Sequence, residues 1–468
     1  MHRTTFISAA FTLGALAGLA ACSDNDHTTA PDAGSAAQPE KLQTLDGKPP
    51  LVIGHRGFPG VRPEETRPSY ELAADFGADA LEEDLHLTQD CVLVARHNPW
   101  LKDNTDIVTV AMGSTSFAAR KRTVPGVSVP VKWTTTPATG PSSYLVDLTD
   151  PTDPKSVLKS LVVDGEEHVN DWSITDFTAD ELTTQLHGTT YDAAANRPSE
   201  YNGMFPILTF QQILDIAKAK SAELKRPISV YPETKNPTWN NEQAIANGCD
   251  KTSSGHPLED AVIDILNKNG LNGPDQPVFV QSFEPSSLQY MHDHGLKTKL
   301  VQLIDGYDYD FKNGTVVYNE ITDSRPYDWT VAGDPRWFDA MLTPDGLATI
   351  KRYADGIGPW KPMILPLVIS PYPTTGTDGM AYSGSTTMAS LAPPTNVISN
   401  AHKAGLFVHI FTFRNEPQYL AKSYAADPEA EYLPFFRLGV DGVFTDFTST
   451  AATARTNFMV EIAKSAAP

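Results

Sequence analysis

Short apolar runs alternate with segments of helical spacing along most of the chain. Between residues 67 and 77, for example, Leu72, Ala73 and Phe76 fall on one side of a predicted helix. Alternation of strand and helix implies parallel strands, and eight such strands are the number that a TIM barrel needs. The eight predicted strands begin near residues 51, 79, 228, 277, 299, 355, 406 and 441.

Three longer segments interrupt this alternation. Residues 100–205 and 304–345 are long insertions, and residues 370–392 read as a third exposed loop rich in Gly, Ser, Thr and Pro. The count of eight holds if the extended run at 91–97 is an excursion from the barrel. The predicted fold is therefore α/β, a TIM (β/α)8 barrel with a long insertion after the second strand. A doubly wound sheet is the alternative that the pattern alone leaves open.

The N-terminal segment has the features of a targeting signal. The apolar run Phe6–Ala21 is too short to span a bilayer comfortably, and it ends in Leu19-Ala20-Ala21-Cys22. Small residues before a cysteine resemble the bacterial lipobox; an ordinary signal peptide is the alternative. We expect a lipoprotein signal over 1–22, a lipid anchor at Cys22, a flexible tether over 23–48 and a barrel domain over 49–455. The expected location is the bacterial cell envelope, lipid-anchored, periplasmic or secreted.

Charge and cysteine content narrow the class of protein. The chain has 36 basic and 57 acidic residues, a net charge of -21, which argues against binding nucleic acid or an anionic membrane surface. Hydrophobic residues make up 40% and charged residues 20%, as in globular proteins. Cys91 and Cys249 remain after Cys22; in an exported protein they can pair or stay as thiols, and the sequence leaves both possibilities open.

Polar side chains gather at the C-terminal ends of the predicted strands. Because strand side chains alternate between faces, Glu82 projects with Asp84, and Glu233 with Lys235. His55 ends the first strand. Two carboxylates that point into one barrel must share a proton or bind a cation. Each feature alone also fits a solvated face or a surface ion pair, but together they mark the catalytic face of TIM barrels.

A set of motifs in this order resembles the glycerophosphodiester phosphodiesterase family. The matches from residue 231 onward look like the periplasmic branch of that family, and the whole set spans residues 50 to about 450. The motifs are His55-Arg56-Gly57, Pro63-Glu64-Glu65-Thr66, Gly77-Ala78-Asp79, Glu82-Glu83-Asp84, Thr88-Gln89-Asp90, His97, Tyr231-Pro232-Glu233-Thr234-Lys235-Asn236-Pro237, Tyr353 to Pro359, Ala401 to Leu406, Thr412-Phe413-Arg414 and Val440 to Phe447.

The resemblance implies a TIM barrel with an inserted segment after the second strand and a role for each matching residue. It implies hydrolysis of a small-molecule glycerophosphodiester to glycerol 3-phosphate and an alcohol, through attack by the substrate's own glycerol hydroxyl and a cyclic phosphate. Oxygen-only ligands argue against zinc, and the branch favours Ca²⁺ over Mg²⁺. The implied roles are an acid/base pair of His55 and His97, metal ligation by Glu82, Asp84 and Glu233, and phosphate contacts from Arg56 and Lys235.

The sequence departs from the family's pattern at three positions, and two other functions remain as alternatives to hydrolysis. Asn98 stands where the family usually has Asp, Glu65 where it often has Asn, and Thr448 where Pro is common. An Asp at 98 would orient His97, so the departure bears on the pH optimum. The rival functions are a phospholipase D-like lyase of the sphingomyelinase D type, which stops at a cyclic phosphate, and a non-enzymatic envelope lipoprotein that binds glycerophosphodiesters or serves as an adhesin.

Overall fold

The computed structural model of the chain describes residues 41–122, 162–164, 166–167, 170–191, 196–319, 323–373 and 384–465. The predicted signal peptide, Cys22 and most of the predicted tether lie outside the described residues. Residues 41–48, the end of that tether, contact the barrel: Leu42 packs against its core, and the Leu45 amide donates to Asp441 Oδ1 at 2.6 Å.

The described residues form fifteen strands and thirteen α-helices. The strands are β1 (Leu51–Gly54), β2 (Ala80–Leu87), β3 (Leu93–Ala95), β4 (Val162–Val163), β5 (Glu166–Glu167), β6 (Ser229–Thr234), β7 (Phe279–Ser282), β8 (Lys299–Ile304), β9 (Asp308–Asp310), β10 (Thr315–Val317), β11 (Gly356–Pro359), β12 (Leu367–Val368), β13 (Ser390–Leu391), β14 (Phe407–Phe413) and β15 (Gly442–Thr445). The helices are α1 (Arg67–Asp75), α2 (Ile107–Gly113), α3 (Thr115–Ala119), α4 (Ala179–Gln185), α5 (Phe210–Leu224), α6 (Pro237–Ala246), α7 (Pro257–Lys268), α8 (Pro285–Asp293), α9 (Tyr327–Ala332), α10 (Pro344–Ile350), α11 (Val397–Lys403), α12 (Pro428–Leu438) and α13 (Thr448–Ser465).

Eight parallel strands close into a barrel, as predicted. Their order around the ring is β1, β2, β6, β7, β8, β11, β14, β15 and back to β1. Strand β3 pairs antiparallel with the end of β2 and is the expected excursion outside the eight. Closure into a ring excludes the doubly wound alternative, because such a sheet has two open edges.

Alternation along the strands sorts side chains between two cores. On β2, Leu81 and Leu85 point outward and pack among the helices, whereas Glu82 and Asp84 take the inward positions. The lower barrel interior holds a small apolar cluster of Ile53, Ala80, Tyr231, Phe279, Val301 and Phe444. The inward face is thus apolar at the bottom and acidic toward the C-terminal strand ends, where the alternation predicted it to be.

The long insertion packs around a core of its own. Trp172, Ile174 and Leu182 are buried there, and the rings of Phe117 and Phe177 stack with centroids 4.9 Å apart. The second insertion contributes the β9–β10 hairpin and α9, and the third expected loop is bounded by the antiparallel pair β12–β13. Among the described residues, no helix is long and apolar enough to cross a membrane.

Cys91 and Cys249 form a disulfide, with Cα atoms 5.4 Å apart and a sequence separation of 158. It joins the turn between β2 and β3 to the segment that follows α6. The pairing that the sequence left open is therefore present.

Replacing both cysteines tests the contribution of this bond. We expect Cys91→Ala/Cys249→Ala to lower the free energy of unfolding by about 2–4 kcal/mol, because the unfolded chain regains the entropy of a long loop. Denaturant unfolding of the variant, beside reduced and oxidised wild-type protein, measures the loss. Equal stability of all three samples would contradict the expectation.

Candidate active site

Three carboxylates from two neighbouring strands converge at the C-terminal end of the barrel. The parallel register of β2 and β6 places Asp84 opposite Glu233, and Glu82 lies one inward position earlier on β2. Each of the three side chains offers an oxygen within 4.8 Å of the others. Glu82 and Asp84 are 1% exposed and Glu233 is 6% exposed. The structure therefore brings together the acidic trio predicted from sequence.

Two cations lie against this trio. Arg56 Nε is 3.0 Å from Asp84 Oδ2, and Lys235 Nζ is 3.0 Å from Glu233 Oε1 and 3.7 Å from Asp84 Oδ1. The Arg56 amide also donates to Glu82 Oε2 at 2.7 Å. Buried charges of one sign need such partners, because isolated carboxylates in a low dielectric are very costly.

The cations do not compensate the three carboxylates equally. Burial, and then the neighbouring Asp84, raise the pKa of Glu82 well above its usual range. Burial raises the pKa of Glu233 to about 7, although Lys235 opposes the shift. Burial also acts on Asp84, but Lys235 and Arg56 outweigh it and hold the pKa of that carboxyl low. Without a further cation, the site therefore retains protons near neutral pH.

Gln281 adds a neutral oxygen beside the trio. It pairs in register with Glu233 across β6 and β7, and its Nε2 donates to Glu82 Oε1 at 3.2 Å. The side chain is 2% exposed, and within the described part of the chain its Oε1 has no hydrogen-bond partner. Three carboxylates and an unsatisfied amide oxygen are the donor set that a hard divalent cation prefers, so the residues present fit such an ion.

His55 is held by a carboxylate from the last barrel strand. Its Nδ1 lies 2.6 Å from Asp446 Oδ1. Burial opposes ionisation of Asp446, but Arg197 and His55 lower the pKa of this carboxyl well below its usual range. An ionised carboxylate only accepts, so the proton of the neutral ring lies on Nδ1 and the lone pair on Nε2. Burial and Arg56 lower the pKa of His55, although Asp446 opposes them.

His97 has a different environment. Within the described residues its buried Nδ1 has no hydrogen-bond partner, and its ring lies 6.2 Å from that of Tyr191. Burial, and then Arg56 and Lys235, lower its pKa well below the usual value. The neighbouring Asn98 amide donates to Asp103 at 3.4 Å, so its described hydrogen bond goes to the insertion and not to the imidazole.

A cavity of about 560 Å³ connects these groups. Six of the seven residues predicted from sequence line its wall: His55, Arg56, Glu82, His97, Glu233 and Lys235. The seventh, Asp84, contacts two of them directly. Both imidazoles thus face the cavity that Glu82 and Glu233 line, which is an arrangement suited to acid/base chemistry beside a bound cation.

Comparison with known proteins gives the same picture. The model of the glycerophosphoryl diester phosphodiesterase family matches residues 55–450. The chain is 30% identical to Arabidopsis thaliana glycerophosphodiester phosphodiesterase GDPD6 over 424 residues, covering 89% of this chain and 88% of that protein. The chain belongs to the glycerophosphoryl diester phosphodiesterase family. The family predicted from the motifs is confirmed.

Two further similarities are more distant. A glycerophosphodiester phosphodiesterase of Haemophilus influenzae is 24% identical over 418 residues, covering 86% of this chain and 88% of that protein. The structure of an Oleispira antarctica phosphodiesterase, solved in complex with the product sn-glycerol-3-phosphate, superposes with a TM-score of 0.45 at 14% identity. That superposition covers 89% of this chain and all of the other.

Sequence reasoning left several residues of the site without a role. Glu64 and Asp446 lie within the motifs that resemble the family. In the structure, Glu64 pairs with Arg56 at 3.0 Å, and Asp446 pairs with His55 at 2.6 Å. Gln281 was interpreted only as part of a strand. Its in-register position beside Glu233 is the signal that could have marked it. Arg197, which contacts Asp446, lies in the insertion and carried no recognisable signal.

Glu233 and Glu284 provide a matched pair for testing metal ligation. Glu284 is 2% exposed and lines the same cavity, but it accepts hydrogen bonds from Thr238 and is not part of the trio. We expect Glu233→Gln to weaken Ca²⁺ binding at least about tenfold by calorimetric titration, because one charged ligand becomes neutral. Glu284→Gln is expected to bind as wild type does. Equal affinities in all three proteins would contradict the ligand assignment.

Metal affinity is also expected to depend on pH. Because the raised pKa of Glu233 is about 7, the ion must displace a proton below that pH. Affinity should therefore rise as pH increases through 7. We expect Ca²⁺ binding about tenfold weaker at pH 6 than at pH 8, since roughly nine-tenths of this carboxyl is protonated at the lower pH. Titrations in buffers of different ionisation enthalpy count the released protons, and zero release at pH 6 would contradict the assignment.

Proposed function

We propose that this protein hydrolyses glycerophosphodiesters to glycerol 3-phosphate and a free alcohol. The observation that carries the proposal is the shared cavity, which is lined by His55, His97, Glu82 and Glu233. Family membership supports the same reaction class. In this proposal His55 and His97 are the acid/base pair, and Glu82, Asp84 and Glu233 hold a divalent cation.

The proposed cation is Ca²⁺ rather than Mg²⁺. When bound, such an ion neutralises charge on the phosphate and stabilises the additional charge that develops during displacement. The oxygen-only donor set supports a hard cation, and Ca²⁺ tolerates the flexible coordination that three carboxylates and an amide offer.

The two histidines suit opposite proton transfers. His55 keeps its proton on Nδ1 toward Asp446, so its Nε2 is available as a base. In the proposed first step, His55 removes the proton of a glycerol hydroxyl, whose oxygen forms a bond to phosphorus. The bond from phosphorus to the other alcohol breaks, and His97 in its protonated form donates the proton that this alcohol needs. The negative charge of the bound phosphodiester favours that form, because it opposes the effect of Arg56 and Lys235 on the pKa of His97. Water then opens the cyclic phosphate, with the proton transfers reversed.

Arg56 and Lys235 are proposed to contact the phosphate from the cavity wall. Both also hold the acidic trio, so their charge is divided between the protein and the substrate. The three carboxylates, a divalent ion and a phosphodiester sum to about minus two, and these two side chains balance that charge.

We further propose that the protein is exported and anchored through Cys22, as a member of the family's periplasmic branch. The Cys91–Cys249 disulfide supports export, because disulfides persist in oxidising compartments.

Phosphorus NMR of purified protein with glycerophosphocholine tests the function. We expect a metal-dependent loss of the diester signal and accumulation of glycerol 3-phosphate, with turnover abolished by a chelator and restored by Ca²⁺. A cyclic phosphate that persists would favour the lyase. No turnover of any glycerophosphodiester with added Ca²⁺ or Mg²⁺ would favour the binding protein.

Histidine variants complete this test. We expect His97→Ala to lower kcat about 10²–10⁴-fold, because the leaving alcohol loses its proton donor, while Ca²⁺ binding persists. His292→Ala is the control, since His292 is half-exposed on α8, outside the barrel. Near-normal activity of His97→Ala would contradict the proposed acid/base pair.

A further inference from the structure

Asp446 is shared between the proposed base and an arginine from the insertion. Its Oδ1 faces His55 Nδ1 at 2.6 Å, and its Oδ2 accepts a hydrogen bond from an Arg197 terminal nitrogen. The Asp446 side chain is 6% exposed. Each carboxylate oxygen therefore has one main partner: the first is the imidazole and the second is Arg197.

Arg197 makes further buried contacts besides the one with Asp446. Its side chain is 2% exposed, its Nε donates to Glu416 Oε1 at 2.7 Å, and its guanidinium lies 5.7 Å from the centroid of the Phe447 ring. The backbone next to Arg197 is also held in place, because the Thr190 hydroxyl donates to the Pro198 carbonyl at 2.7 Å. The insertion thus places a buried guanidinium at the C-terminal ends of β14 and β15.

A second arginine is close to Asp446 but is less well placed. Arg414 Nε lies 3.6 Å from Asp446 Oδ2 and 3.4 Å from Glu416 Oε2, and its side chain is 17% exposed. Arg197 is therefore the principal counter-charge of Asp446. Without it, two buried carboxylates would share one partly exposed cation, and protonation of Asp446 would become easier.

Protonation of Asp446 would change the hydrogen bond between this carboxyl and His55 Nδ1. A protonated carboxyl can donate one hydrogen bond, and whenever its proton lies on Oδ1, His55 Nδ1 has to accept that bond. The proton of the neutral ring would move to Nε2, the nitrogen that must be free to act as a base. The charge on Arg197 thus bears on the His55 tautomer through one intervening carboxylate.

We propose that Arg197 is a positioning residue that connects the insertion to the catalytic centre by holding Asp446 ionised against His55. Arg197 is not among the described residues that line the cavity, so it acts through Asp446 and not on the substrate. The insertion then contributes a residue that affects the proposed base. The catalytic consequence rests on the proposed function, whereas the effect on the tautomer does not.

Substitution of Arg197 tests the connection in two ways. With glycerophosphocholine and Ca²⁺, we expect Arg197→Met to lower kcat about 10–100-fold, a part of what a general base contributes, and to leave KM within about twofold. In metal-free protein labelled with ¹⁵N-histidine, we expect His55 to show the Nδ1–H tautomer in the wild type and a mixture in the variant. Arg197→Lys keeps a buried charge but cannot bridge both carboxylates. Its kcat and its tautomer population are expected to lie between those of the wild type and Arg197→Met. It replaces Arg197→Met in both measurements if that variant does not fold.

Two comparisons separate this role from a merely structural one. Arg120→Met removes another insertion arginine, bound to both oxygens of Glu181 at 2.7 and 2.8 Å, and is expected to leave kcat and the tautomer unchanged. In a double-mutant cycle, Arg197→Met should add little to the loss of kcat caused by Asp446→Asn. An Nδ1–H tautomer retained in folded Arg197→Met, a loss confined to KM, or additive losses in the cycle would overturn the proposal. A wild type that turns over no substrate but shows the expected tautomer change would instead reject the proposed function alone.

Discussion

The active site depends on the concentration of negative charge inside the barrel. Glu82, Asp84 and Glu233 are almost wholly buried at one level, and burial of like charges is costly unless partners offset it. Arg56 and Lys235 offset part of this cost, mainly at Asp84. The remaining charge requires either protons or a cation. The same groups thus account for the proposed affinity for a divalent ion and for its expected dependence on pH.

Barrel closure determines how the histidines relate to this charge. His55 and Asp446 lie on β1 and β15 or just beyond them, at opposite ends of the domain sequence, and they meet because these two strands pair in the closing step of the ring. His97 follows the short β3 excursion from β2, so it stays beside the strand that carries Glu82 and Asp84. One imidazole thus has a fixed carboxylate partner and the other has none among the described residues. This asymmetry fits the proposed roles, with His55 and its defined tautomer as the base and His97 as the acid.

Much of this arrangement was accessible from the sequence. Period-two alternation was enough to put Glu82 and Asp84 on one inward face, and the count of apolar runs gave the eight strands in order. The role of Gln281 was missed because an amide in an apolar run carries no titratable signal, and its role comes from register with Glu233 on a neighbouring strand. Arg197 could not be predicted at all. It is 249 residues from Asp446, and its position depends on how the insertion folds.

Asp446 affects both the orientation and the pKa of His55. The ionised Asp446 acts to raise the pKa of His55, and a fully protonated ring could not act as a base at neutral pH. Arg197 helps to lower the pKa of Asp446, whereas burial and then Arg56 lower the pKa of the imidazole itself. The net result is a lowered pKa for His55 despite a hydrogen bond of 2.6 Å to an ionised carboxylate. Orientation and basicity therefore have different sources: Asp446 fixes the ring, while burial and Arg56 keep it neutral and able to accept a proton.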